Sequence, residues 1–179
     1  ADVDGLVEAT RRVQPRLVYV VSPNNPTGVE YTAAQVAALC EATTHGLVIV
    51  DEAYSEFSGR SAMGLLHTYS YLIVTRTFSK AYGMAGLRIG YAVTHPVVVE
   101  DMRRVFNPKS VNVLAQVGAM AALQDQDWLS WYVGEVDRAK TLMAEWCVAR
   151  DVPFRTTPAN FVMLQFDRAP WVVRSLQEV

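Results

Sequence analysis

Three short apolar runs, each ending in polar residues, constrain this chain more than any other feature: Leu17–Ser22, Leu47–Asp51 and Tyr71–Thr75. They are built from Val, Ile, Leu and Tyr without apolar/polar alternation, the pattern of strands covered on both faces by helices. A fourth run, Ile89–Val93, reads the same way. Between the first two lies a helix signal, Thr32–Thr44, with its own punctuation. Thr32 and Gln35 have capping-box spacing, and Tyr31 and Val36 have that of a hydrophobic staple. Gly46 stands where a left-handed C-terminal residue is wanted. Strand, helix and strand in that order imply a right-handed crossover and parallel pairing. The fold class is therefore α/β, a mostly parallel sheet flanked by helices.

Helices dominate the remainder. Leu6–Arg12 reads as a short helix ahead of the first strand. Ser110–Leu123 sets Val111, Leu114, Ala115, Gly118, Ala119 and Ala122 on one side. Trp128–Arg150 is longer, with Trp128, Tyr132, Val136, Ala139, Met143 and Trp146 in a stripe that reads as core packing. Phe161–Phe166 reads as a strand opening a new unit, and a further helix reaches Val179.

Composition narrows the partners. With 51% apolar and 19% charged residues over 179 positions, the chain has material for a core and is not disordered. A net charge of −2 makes nucleic acid and anionic membranes poor partners. Cys40 and Cys147 form no CxxC pair, so neither a metal framework nor a disulfide scaffold is expected, which suits the cytoplasm. No apolar run approaches the roughly 20 residues that cross a bilayer. The opening residues 1–12 carry no signal-peptide pattern.

The chemistry gathers at strand ends. Asn25 follows the first strand, Asp51 closes the second, and Thr77, Ser79 and Lys80 follow the third. In open parallel sheets the binding crevice lies outside the carboxyl ends of the strands, so parallel pairing would bring these residues to one rim. A neutral lysine amine attacks carbonyls to form imines. Asp51 is an anion in search of a cation, and a protonated pyridine nitrogen would serve. Asn25 and Tyr54 can hydrogen-bond a phenolate-like oxygen. Thr77, Ser79 and Arg88 are donors suited to a phosphate. Imine former, pyridinium partner, phenolate donors and phosphate cradle together describe a site for pyridoxal 5′-phosphate.

Three blocks carry a family resemblance: Ser22–Gly28 (SPNNPTG), Asp51–Phe57 (DEAYSEF) and Arg76–Tyr91 (RTFSKAYGMAGLRIGY). Together they resemble the class I/II aminotransferases of pyridoxal-phosphate fold type I, especially the histidinol-phosphate aminotransferases and their aromatic relatives. Pro158–Phe161 resembles the start of that family's small domain. The resemblance implies that Lys80 is the catalytic lysine, bound to the cofactor and moving the proton between substrate and cofactor. Asp51 would hold the pyridine nitrogen protonated, Asn25 and Tyr54 would bond the ring oxygen, and Thr77, Ser79 and Arg88 would hold the phosphate. The implied reaction is ping-pong transamination between an amino acid (histidinol phosphate or an aromatic amino acid) and a 2-oxo acid such as 2-oxoglutarate. The implied working form is a homodimer. Residues 1–126 would belong to the large cofactor-binding domain, 127–150 to a long interdomain helix and 151–179 to an incomplete small domain.

Family members extend further at both ends, so the chain reads as a segment of such an enzyme. Arg155, Arg168 and Arg174 do not match the arginine with which the family grips a substrate carboxylate. A decarboxylase of the same fold, of the threonine-phosphate type, and a catalytically incomplete cofactor-binding fragment remain as alternatives. Gly83, Gly86 and Gly90 do not make GxGxxG, and His45, His67 and His95 lack metal-ligand spacing, so neither a nucleotide fold nor a metal centre is expected.

Overall fold

The computed structural model describes residues 2–107 and 109–177. Four strands make the main sheet in sequence order: β1 (Leu17–Val21), β2 (Leu47–Asp51), β3 (Leu72–Thr77) and β4 (Gly90–Thr94). The first three are parallel, and β4 runs antiparallel to β3. Val21 pairs with Asp51, and Asp51 with Thr75, so the three carboxyl ends lie level along one rim.

Helix α1 (Val3–Val13) and helix α2 (Ala33–Ala42) cover one face. Val7, Val36, Leu39 and Cys40 pack there against Val18, Val20, Val48, Val50, Leu72 and Val74. The Thr32 hydroxyl accepts from Gln35 N–H while the Gln35 side chain accepts from Thr32 N–H, so the capping box forms as its spacing predicts. Gly46 differs from expectation: it is not left-handed, and α2 ends through an extended Thr43. Its constraint is steric, since a Cβ there would lie 2.4 Å from the Pro15 carbonyl oxygen.

Burial in β1 alternates, contrary to the continuous reading: Val18 and Val20 are 5% exposed, Leu17 and Tyr19 50% and 54%. α1, which precedes β1, and α2, in the crossover to β2, lie on the same side of the sheet.

Helix α3 (Ser55–Ser58) is a single turn after β2. Helix α4 (Pro96–Arg103), unforeseen in the sequence, starts on a His95 cap with Pro96 in its first turn. Helix α5 (Val113–Gln124) buries Ala115 and Ala119, not the whole anticipated face: Leu114 is 77% exposed. Phe78, Tyr82 and Met84 already fill the space beneath, so only the small side of α5 fits. Helix α6 (Gln126–Val148) packs Leu129, Tyr132, Val133 and Val136 onto Tyr54, Phe57 and Ala81. Farther along, Met143 and Trp146 line an open apolar groove of about 540 Å³ with Leu164, Phe166, Val172 and Leu176. Strands β5 (Phe154–Thr156) and β6 (Val162–Leu164) pair antiparallel, and helix α7 spans Ala169–Gln177. Of these β5 was not foreseen, and Val179, expected within the last helix, lies outside the described residues.

Candidate functional site

Strand alternation decides which side chains reach the open side of the rim. Asp51, Thr75 and Thr77 share the face turned away from α1 and α2. Their neighbours Glu52 and Arg76 turn to the other side. There Glu52, 2% exposed, accepts from Arg76 Nη2 at 2.9 Å, from Ser61 Oγ at 2.8 Å and from Ala62 N–H at 2.6 Å. That buried pair is scaffold: it ties β2, β3 and the turn at Ala62 together, with its carboxylate satisfied by neutral donors as well as by charge.

A cleft of about 440 Å³ opens on the Asp51 side, lined by Asp51, Thr75, Thr77, Ser79, Lys80 and Arg88 among others. The β3–β4 hairpin delivers all of these but Asp51. Thr77 pairs with Gly90, and Phe78 N–H donates to Ile89 O at 3.2 Å, so the loop returns Arg88 to the base from which Ser79 and Lys80 leave. Thr77 Oγ1 accepts from Ser79 N–H at 3.1 Å, which tightens the turn. Arg88 holds a left-handed backbone at φ 52°, and its guanidinium donates to Ala85 O at 2.9 Å. A non-glycine residue at positive φ carries strain, and such strain concentrates at working sites.

Asn25 and Tyr54 complete the set from a second direction. Asn25 Nδ2 donates to Tyr54 Oη at 2.9 Å, leaving the phenolic proton free to be donated elsewhere. Lys80 Nζ lies 5.4 Å from the Tyr54 ring centroid, which joins the pair to the lysine. The ring is wedged edge-on against Phe161, with centroids 5.6 Å apart. The same segment bears on the Asn25 loop. At Gly28, φ +67°, a Cβ would sit 2.5 Å from Thr157 Cβ, so glycine is needed for both conformation and approach.

Every residue singled out in the sequence thus falls in one neighbourhood: Asp51, Thr77, Ser79, Lys80 and Arg88 on the cleft wall, Asn25 and Tyr54 joined to it through Lys80. Two residues escaped the sequence reading. Thr75 lines the cleft beside Asp51. Tyr19 donates its hydroxyl to Asp51 Oδ2 at 2.5 Å, while Ala53 N–H donates to Oδ1 at 3.1 Å. The bond to Asp51, then burial, then the carboxylate's charge push the Tyr19 phenol up to about 12. The available signal was positional: Tyr19 stands two residues before Val21, the cross-strand partner of Asp51.

An amine, a carboxylate, an amide–phenol pair and a cluster of hydroxyl and guanidinium donors can hold a molecule that combines a carbonyl, a basic ring nitrogen and an anionic ester. The comparisons agree with that chemistry. Residues 1–178 match the family model described as aminotransferase class I and II. A dihydroxyacetone phosphate transaminase from Campylobacter jejuni is 35% identical over 99% of this chain and 49% of its own length. A histidinol-phosphate aminotransferase from Thermobifida fusca is 39% identical over 94% of this chain and 46% of its own. The crystal structure of the histidinol-phosphate aminotransferase from Sinorhizobium meliloti, in complex with pyridoxal-5′-phosphate, superposes with a TM-score of 0.87 at 30% identity. It covers 98% of this chain and 49% of that one. The chain spans about half the length of these relatives, and over that span it belongs to the aminotransferase class I and II family.

Proposed function

We propose that this chain supplies the cofactor-binding core of a pyridoxal-phosphate-dependent aminotransferase. It would pass an amino group from histidinol phosphate or an aromatic amino acid to a 2-oxo acid such as 2-oxoglutarate. The observation that carries the reading is the convergence of Asp51, Lys80 and the Thr77–Ser79–Arg88 donors on one cleft from two separate stretches of sequence. When bound, the cofactor supplies a carbonyl for amine capture and a ring that draws electrons from the substrate's Cα.

The chain's own residues do the rest. Asp51 places a negative charge at the cleft wall, opposite a protonated ring nitrogen. Thr77 and Ser79 offer hydroxyls and Arg88 a fixed cation, a donor set matched to a phosphate ester. Asn25 and Tyr54 orient one another and present a phenolic proton to the ring oxygen. Lys80 Nζ would hold the cofactor through its carbonyl and, once displaced as the free amine by the substrate's amine, would hold and move the proton at the substrate's Cα. On the same reading the working form is a homodimer, as the family resemblance of its motifs implies, and it is cytoplasmic, as the unpaired Cys40 and Cys147 suggest. Residues 1–126 belong to the large domain, 127–150 to the interdomain helix and 151–179 to the small domain, a division supported by the separate β5–β6 sheet beyond α6.

The test is a titration of the native-length protein with pyridoxal phosphate, followed by assay with histidinol phosphate or phenylalanine and 2-oxoglutarate. A bound-cofactor absorbance band that Lys80→Ala abolishes, with glutamate as product, is the expected result. No band, or a band indifferent to Lys80→Ala, would sink the reading. Carbon dioxide in place of a 2-oxo acid product would assign the site to a decarboxylase.

A further inference from the structure

Asp51 is held before anything reaches the cleft. Its Oδ1 takes the N–H of Ala53, in the turn that follows β2, and its Oδ2 takes the Tyr19 hydroxyl from the neighbouring strand. Donors from two different elements fix the plane of the carboxylate. An ionised carboxylate has about four acceptor positions, so two remain for the cleft.

The reach of Tyr19 follows from register. Tyr19 pairs with Ile49 and Val21 with Asp51, which places Tyr19 and Asp51 on one face, diagonal across β1 and β2. Among the described residues Tyr19 is 54% exposed and its ring belongs to no core cluster, so what ties it down is its hydroxyl. Its raised titration range keeps it a donor throughout the neutral range.

We propose that Tyr19 is a positioning residue for Asp51: it aims the carboxylate and shares its charge, and so sets how strongly the site holds a protonated heteroaromatic ring. The proposal rests on the cofactor reading given above. A carboxylate free to rotate about its own bonds loses orientation entropy each time it engages a partner, whereas one clamped from two sides has already lost it. The charged side chains lining the cleft with Asp51 are Lys80 and Arg88; Arg76 borders it from its strand while its guanidinium pairs with Glu52 on the other face. The two arginines stay cationic over any working range, so a change caused by Tyr19 reads out through Asp51 and Lys80.

The experiment compares wild type, Tyr19→Phe, Asp51→Asn and the double variant in the native-length protein. The readouts are pyridoxal-phosphate affinity, the pH midpoint of the bound-cofactor absorbance, and the melting temperature without cofactor. Tyr19→Phe is expected to weaken binding about tenfold, the worth of one hydrogen bond to a charged group. It should also raise the absorbance midpoint, because a less shared negative charge favours the protonated state of the lysine–cofactor linkage. The cofactor-free melting temperature should stay near that of wild type. In the Asp51→Asn background the same change should add little. Unchanged affinity and midpoint, effects that simply add in the double variant, or a lower melting temperature with unchanged affinity would each overturn the proposal. Failure of the wild type itself to develop the absorbance band would instead overturn the cofactor reading.

Discussion

Adjacent residues in this chain have opposite fates, and the two carboxylates of Asp51 and Glu52 show why. One turns to the cleft, the other into a buried pair with Arg76, because consecutive strand positions face opposite ways. Glu52→Gln leaves Arg76 with a weaker partner in a site with little water, and we expect it to cost about 3 kcal/mol of stability by chemical denaturation. Glu56 is a different case. It lies 3.7 Å from Arg76, yet neither oxygen accepts a hydrogen bond from a described residue. Burial pushes its carboxyl above the usual 4.5, with Glu52 adding to the rise and Arg76 opposing it. A carboxyl raised in the fold favours the native state fully below the unfolded value, and that contribution is lost as pH rises through the raised value. Glu56→Gln should therefore lessen the loss of stability as pH rises above about 4.5, leaving the variant's melting temperature the flatter of the two against pH. The meeting of Asp51, Lys80 and Arg88 at one cleft was legible in sequence because each sits inside an unbroken stretch of characteristic residues at a strand end. Tyr19 was not, because its partner lies 32 positions away and only strand register brings the two together.

Among the elements, α2 and the three parallel strands were legible because local signals sufficed: a capping box, and apolar runs of strand length. The misreadings arose where the deciding contact was remote. Gly46 resembles a helix terminator, but the Pro15 and Arg16 carbonyls crowd it. Gly46→Ala should cost about 1–3 kcal/mol through overpacking against backbone. Gly64→Ala, where a Cβ meets nothing within 4 Å, should be nearly neutral, and paired thermal melts would show the contrast. Equal effects would mean that crowding at Gly46 is relieved by local shifts. β5 is three residues long and carries too little pattern to be seen. α5 showed the right residues but not which of them its neighbours would accept.

Over the whole molecule, α1 and α2 cover one face of the sheet, and apolar surface stays open elsewhere among the described residues. Val113, Leu114, Val117 and Met120 stand 61–77% exposed along α5, and the groove at Met143 and Trp146 adds a second apolar surface. Exposed patches of this kind drive association. The 179-residue chain expressed by itself should therefore self-associate and bind a hydrophobic dye, and replacing Leu114 and Val117 with Lys should reduce both. Monodisperse monomer without dye binding would show that the surface is tolerated in water.

The stretch from Thr157 to Phe161 makes contact twice, closing on the Gly28 turn at one end and bracing the Tyr54 ring at the other. A rigid displacement of that stretch would act like a lever on two bearings. It would press on the turn that follows Asn25 and tilt the phenol beside the Lys80 amine in a single motion, so the posture of the chain's later portion and the setting of that amine would shift together.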